Sequence, residues 1–197
     1  MNGSNAIKVI LLGSTSVGKT TLLTRWCDDY FDPNKLSTLG AGTRFQNIEI
    51  DNENYTFQVW DTAGQDSFRD TVPLYCKGAK AAMIVFDLTV KSSFEDVPEW
   101  INLFKNLEPD SPFVLVGNKS DLMEKREISI ESVTDFAEKN NCKYYETSAF
   151  SGVGVDDAFG ALATEAIQAM NTVADENPPN IVSIGDTTSQ NNSSGCC

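Results

Sequence analysis

Gly13-Ser14-Thr15-Ser16-Val17-Gly18-Lys19-Thr20 carries the residue types that phosphate chemistry needs. Small residues let successive backbone N–H groups turn toward one anion, a lysine supplies a point charge, and the closing hydroxyl is a hard ligand for a divalent cation. The pattern G-x-x-x-x-G-K-[ST] arises by accident in roughly one in a hundred chains of this length. Here it follows the apolar run Ile7-Lys8-Val9-Ile10-Leu11-Leu12 and opens the helical stretch Thr20-Thr21-Leu22-Leu23. Strand, loop and helix N-terminus stand in the order the chemistry requires. The N–H groups of residues 14–20, from Ser14, Thr15, Ser16, Val17 and Gly18 into the helix, are expected to wrap a β-phosphate. Lys19 is expected to bridge β- and γ-oxygens and Thr20 to ligate magnesium.

Three further stretches gain meaning from their place after this loop. Asp61-Thr62-Ala63-Gly64-Gln65 follows a strand, so Asp61 reaches the magnesium shell while the Gly64 amide approaches a γ-phosphate with no Cβ in the way. Gly117-Asn118-Lys119-Ser120-Asp121 ends another strand. An aspartate in that position accepts hydrogen bonds from the N1–H and 2-amino group of guanine, a donor pair that adenine lacks. Glu146-Thr147-Ser148-Ala149 follows the next candidate strand, where backbone amides meet guanine O6.

The elements that must position these residues alternate along the chain. Apolar runs at 7–12, 81–86 and 113–116 show no polar alternation, the pattern of strands covered on both faces of a parallel sheet. Residues 45–50 and 55–60 flank Asp51-Asn52-Glu53-Asn54 and read as a hairpin, supplying one antiparallel edge. Helices are expected near 20–30, 93–107, 130–140 and 156–170. Alternating βα units predict a doubly wound α/β sheet with ligand loops at the strand carboxyl ends. Beyond about residue 173, Pro178-Pro179 and a Ser/Thr/Asn-rich stretch read as a flexible tail.

Composition removes several chemistries. The 197 residues hold no histidine, which excludes histidine bases, histidine metal ligands and Ser-His or Cys-His pairs. A net charge of -13 repels a phosphate backbone, and no basic run offsets it, so nucleic acid is not an expected partner. Cys27, Cys76 and Cys142 lack zinc-ligand spacing, and no charged-then-apolar leader stands at the N-terminus, which together imply a reducing cytosolic home. No apolar stretch reaches the ~20 residues that span a bilayer. Trp26, Trp60 and Trp100 read as core or interface packing, and Glu124-Lys125-Arg126-Glu127 as a solvated connection.

The four motifs in this order resemble those of the Ras superfamily of small GTPases, and Phe57-Gln58-Val59-Trp60-Asp61-Thr62-Ala63-Gly64-Gln65 is similar to the Rab branch. Ser37-Thr38-Leu39-Gly40, Tyr75-Cys76-Lys77-Gly78-Ala79, Val85-Phe86-Asp87-Leu88-Thr89 and the terminal Cys196-Cys197 carry the same resemblance, which covers about residues 6 to 172. It implies a P-loop NTPase fold of small-G-protein type: a mostly parallel six-stranded sheet, one antiparallel edge strand, and helices on both faces. It divides the chain into a GTPase domain at 1–172 and a hypervariable tail at 173–197. GTP and GDP are the implied ligands, with Mg2+ held by Thr20, Thr38 and Asp61. Phe31, Asn118, Lys119, Asp121, Ser148, Ala149 and Phe150 would surround the base and ribose, and Gln65 would orient the attacking water. Implied partners are an exchange factor, an activating protein, a GDP dissociation inhibitor that shields lipid, and effectors that recognise the GTP state. The implied location is the cytoplasmic face of intracellular membranes, with an escorted cytosolic pool.

In Rab-like chains a terminal double cysteine accepts geranylgeranyl groups. No Lys or Arg follows Lys143, so no polybasic segment assists, and lipid at Cys196 and Cys197 must do the anchoring. The chain also departs from the Rab pattern. Ala41-Gly42-Thr43 lacks an effector-facing aromatic, Ser16 replaces a phosphate-loop glycine, and Phe150 stands where a lysine often lies along the base. The last two are expected to speed nucleotide loss, and the bulk of Thr15 to slow hydrolysis. Two alternatives remain: a guanine-nucleotide-binding scaffold with little hydrolysis, and a P-loop small-molecule kinase or ATPase. The four arginines Arg25, Arg44, Arg69 and Arg126 are too scattered to form a kinase lid.

Overall fold

In a computed structural model the described residues are 6–33, 38, 40–64 and 71–176, with backbone alone for 172–176. Strands β1 (Ile7–Leu12), β2 (Ala41–Ile50), β3 (Glu53–Thr62), β4 (Ala81–Asp87), β5 (Phe113–Asn118) and β6 (Lys143–Thr147) form one sheet in the order β2-β3-β1-β4-β5-β6. Only β2 runs antiparallel to its neighbour. The doubly wound α/β reading therefore holds, with the antiparallel strand at the edge where the hairpin placed it.

The order follows from hydrophobic pattern. All residues of β4 and β5 are buried, as unbroken apolar runs require when helices cover both faces. Alternate side chains feed two cores. Val9, Leu11, Met83, Val85, Val114 and Val116 meet α1 (Lys19–Asp28) and α6 (Val155–Glu176) on one side. Ile10, Leu12, Ile84, Phe86 and Leu115 meet α2 (Val72–Cys76), α4 (Val97–Leu107) and α5 (Ile130–Lys139) on the other. Trp100 and Phe104 are fully buried in the second core, and Trp26 stacks on Phe159 beside the first, at 4.3 Å between ring centroids.

The structure corrects several boundaries. The single helix expected over 93–107 is two, α3 (Lys91–Glu95) and α4, meeting at Asp96. Pro98 is the cause: it has no N–H for the carbonyl of residue 94, and its ring would strike that carbonyl, so it starts a helix and cannot continue one. The hairpin turn is only Asp51-Asn52, both left-handed (φ 52° and 63°), with Ile50 paired to Glu53. Two positive φ angles match the twist of the strands they join. Helix α2 was not expected, because five residues are too few to display a 3.6-residue period. Helix α6 runs past residue 170 to Glu176, and the tail beyond it lies outside the described residues. Among the described residues no helix is long and apolar enough to cross a membrane.

Phe104→Ala is expected to lower unfolding free energy by about 3–5 kcal/mol, since it removes a fully buried ring and leaves a cavity. Leu107→Ala, at a 40% exposed side chain on the same helix, is expected to cost under about 1 kcal/mol in the same urea titration.

Candidate nucleotide site

The loops leaving β1, β3, β5 and β6 enclose a cavity of about 540 Å³. That volume suits a ligand of nucleotide size. At one end lies the phosphate loop. Gly18 precedes α1 with φ 101°, and no side chain caps the helix, so its first N–H groups face outward to an anion. Ser16 is held at φ 61°, a left-handed conformation that costs a residue with a Cβ of order 1 kcal/mol. Lys19 is 5% exposed and its Nζ donates to the carbonyls of Gly13 and Ser14 at 2.6 and 2.8 Å. Burial pushes its ammonium down to about 8, while the Asp61 charge acts in the opposite direction. An arriving phosphate supplies the countercharge that restores it.

Thr20, Thr38 and Asp61 meet at one point. The Thr20 hydroxyl donates to Asp61 Oδ2 at 2.6 Å and touches the Thr38 hydroxyl. Two hydroxyls and one carboxylate form an all-oxygen set that fits magnesium, whose remaining ligands come from phosphate and water. Among the described residues there is no cluster of histidine, cysteine and carboxylate side chains that would favour a softer metal. Gly64 closes this end. A Cβ there would sit 2.4 Å from the Ser14 backbone, so only glycine allows β3's exit to lie against the phosphate loop.

At the other end Asp121 Oδ1 accepts from Ser148 Oγ at 2.6 Å, which turns its carboxylate into the cavity. Phe31 and Phe150 meet edge to face at the mouth, 5.3 Å between centroids. Lys119, left-handed at φ 67°, lines the wall and pairs with buried Asp87 at 2.6 Å. Asn118 joins the two ends: its Nδ2 donates to Val17 O at 2.9 Å, and its Oδ1 accepts from Thr147 Oγ1 and the Ala149 amide at 3.3 Å. Its side chain therefore fastens three loops together.

Of the expected site residues, Thr15, Ser16, Gly18, Lys19, Thr20, Phe31, Thr38, Gly64, Asn118, Lys119, Asp121, Ala149 and Phe150 line this cavity. Val17 and Ser148 support its walls. The Ser14 side chain points elsewhere, its hydroxyl donating to Asp96 Oδ2 at 2.6 Å and accepting from Trp100 Nε1 at 3.3 Å. Gln65, Cys196 and Cys197 lie outside the described residues.

One expectation fails. The segment 124–127 is not merely a solvated connection, because Arg126 makes a forked pair with Glu146 at 2.5 and 2.8 Å and donates to Ile128 O at 2.6 Å. Tyr144 also donates to Glu146 at 2.8 Å, and Glu127 accepts from the Lys91 amide. This cluster braces the strand that delivers Thr147, Ser148 and Ala149. The only hint in the sequence was the glutamate that opens that motif, whose partner lies 20 residues earlier. Asp87 was visible only within the stretch Val85-Phe86-Asp87-Leu88-Thr89, with nothing to pair it with Lys119.

The Arg126 guanidinium, together with the Tyr144 hydroxyl, holds the Glu146 carboxyl below its usual range, and partial burial opposes this. A depressed carboxylate contributes stability above its unfolded value of ~4.3 and loses it as pH falls through the lower folded value. Arg126→Ala is therefore expected to cost about 1–2 kcal/mol at pH 7, and the gap from wild type should shrink below pH ~4 in chemical denaturation across pH.

The Ras family profile matches residues 8–168. Ras-related protein Rab-11C of Dictyostelium discoideum is 40% identical over 159 residues, 80% of this chain and 71% of that protein. Ras-related protein Rab-8B of Homo sapiens is 37% identical over 165 residues, 83% of this chain and 80% of its own length. Ras-related protein RABA4a of Arabidopsis thaliana is 36% identical over 165 residues, 83% of this chain and 73% of its own. With the phosphate loop, the oxygen cluster and the anchored Asp121 brought into one cavity, these matches place the chain in the Ras family, as a Rab-like small GTPase.

Proposed function

We propose that this GTPase is a membrane-anchored, two-state switch of vesicle trafficking whose states differ in how Thr38 and Gly64 are held. The observation that carries the reading is the meeting of Thr20, Thr38 and Asp61 beside buried Lys19, in a cavity that ends at Asp121. Lys19 and the N–H groups of the phosphate loop bind the β- and γ-phosphates. Thr20, Thr38 and Asp61 hold magnesium, which when bound offsets phosphate charge. Asp121 selects guanine, because adenine leaves its carboxylate without donors. Phe31, Lys119, Ala149 and Phe150 enclose the base.

Hydrolysis needs no strong base, since phosphoryl transfer rests on positioning and charge stabilisation. Gln65 orients the water, and the Gly64 amide steadies the γ-phosphate. Sites of this type turn over at on the order of 10⁻⁴ s⁻¹ unaided, so an activating protein supplies further positive charge. Loss of the γ-phosphate releases Thr38 and the Gly64 amide, and effectors read the difference. An exchange factor resets the cycle. Geranylgeranyl groups on Cys196 and Cys197 hold the GTP form on the cytoplasmic face of an intracellular membrane, and a dissociation inhibitor escorts the GDP form.

Hydrogen exchange around Thr38 and Gly64 should be slower with a non-cleavable GTP analogue than with GDP, and equal profiles would sink the switch. Gln65→Leu should cut single-turnover phosphate release at least tenfold while leaving GTP binding intact. A scaffold that does not hydrolyse would show no release in wild type either. For the anchor, Cys197→Ser should move most of the protein from membrane to soluble fraction on flotation, and unchanged partitioning would reject lipid anchoring by the pair.

A further inference from the structure

Arg25 lies in the last turn of α1, where its cationic head meets three backbone carbonyls. Nε donates to Ala149 O at 2.9 Å, Nη2 to Phe150 O at 2.9 Å, and Nη1 to Asp29 O at 2.9 Å and Asp29 Oδ1 at 3.0 Å. The side chain is 16% exposed. Its acceptors belong to two segments that are 120 or more residues apart, as the separations of 124 and 125 to Ala149 and Phe150 show. Both segments carry a wall of the cavity. Asp29 ends α1 in a left-handed conformation, φ 48°, and Phe31 follows it. Ala149 and Phe150 form the opposite wall, and the two phenylalanine rings meet across the mouth.

We propose that Arg25 is the positioning residue for the base end of the pocket, a forked clamp that holds the Phe31 and Ala149-Phe150 walls in register and thereby retards nucleotide release. The inference rests on reading the cavity as a guanine-nucleotide site. Arg25 acts through the protein, because its donors are committed to Ala149, Phe150 and Asp29. Asn118 Oδ1 holds the Ala149 N–H and Arg25 Nε holds the Ala149 carbonyl, so this residue of the wall is gripped on both sides. The planar guanidinium spreads its donors over three nitrogens in a fixed fork, so each nitrogen meets a different carbonyl. A lysine ammonium at the end of a similar stem cannot reach all three carbonyls.

The test is stopped-flow capture and release of N-methylanthraniloyl-GDP by wild type, Arg25→Lys, Arg25→Gln, Phe31→Ala and the Arg25→Lys/Phe31→Ala double variant. Release from Arg25→Lys should be at least about tenfold faster, with association changed less than about twofold because capture is led by the phosphate end. In the Phe31→Ala background the same substitution should accelerate release less, since one of the walls it aligns is gone. Wild-type release rates in Arg25→Lys and Arg25→Gln, even with a lowered melting temperature, would overturn the proposal and leave Arg25 a structural residue. So would strictly additive effects in the double variant. Competition of GDP against ADP on wild type tests the underlying reading separately: no preference for GDP removes the guanine site itself, whereas preference with unaltered release in the Arg25 variants removes only the clamp.

Discussion

A buried ammonium is the constraint around which this molecule is arranged. Lys19 has carbonyl oxygens for hydrogen-bond acceptors and the Asp61 carboxylate for a neighbour, and burial still draws its proton affinity down. Dipoles satisfy its hydrogen bonds without neutralising its charge. The site is therefore left with a standing demand for an anion, reinforced by the uncapped N-terminus of α1. Everything near it makes that demand specific. Glycine at 13, 18 and 64 leaves room for Val85 O, the Asn118 side-chain amide and the Ser14 backbone, which a Cβ would meet at 2.1, 2.3 and 2.4 Å.

The sheet makes such close approaches possible. Parallel strands β1, β3, β4, β5 and β6 all end on one edge, and their buried alternate faces lock the register that aligns those ends. Asn118 then turns alignment into rigidity by bonding to the loop after β1 and the loop after β6 from its own place at the end of β5. Slipping one strand by a residue would turn its apolar side chains to the wrong core and break this strut as well.

Much of this was legible before any coordinates. The phosphate loop is a local motif, and its backbone chemistry depends on glycine spacing that a sequence displays directly. The unbroken apolar runs of β4 and β5 reported burial on both faces, and Asp51-Asn52-Glu53-Asn54 reported the hairpin, though its turn is the first two residues alone. What escaped detection depends on partners far apart in the chain. Arg25 looks like any helix-surface arginine until β6 brings Ala149 and Phe150 beside it, and Arg126 reads as loop charge until Glu146 arrives from the neighbouring strand. The α3–α4 break was legible in principle, since Pro98 stands inside the expected helix, but helical periodicity on both sides masked it. The side-chain role of Ser14 was equally hidden: its motif position spoke for the backbone N–H, while its hydroxyl is engaged by Asp96 and Trp100.

The bonds are distributed unevenly between the two ends of the cavity, and that asymmetry bears on how a switch operates. The base end is tied by protein to protein contacts: Ser148 to Asp121, Asn118 to Ala149, Arg25 to Ala149 and Phe150, Arg126 to Glu146. None of those contacts uses the Thr20, Thr38 or Asp61 oxygens. At the phosphate end Thr38 meets the rest of the site through the Thr20 hydroxyl, and Gly40 O accepts from the Ala63 amide at 2.7 Å. The Thr20–Thr38 contact runs through the same hydroxyls that a magnesium ion would use. In the proposed cycle, loss of one phosphoryl group would act at this end, away from the bonds that tie the base end. A protein built in this way can keep hold of its nucleotide through hydrolysis while the segments around Thr38 and Gly64 respond, which is what separates a switch from an enzyme that must release product after every turnover.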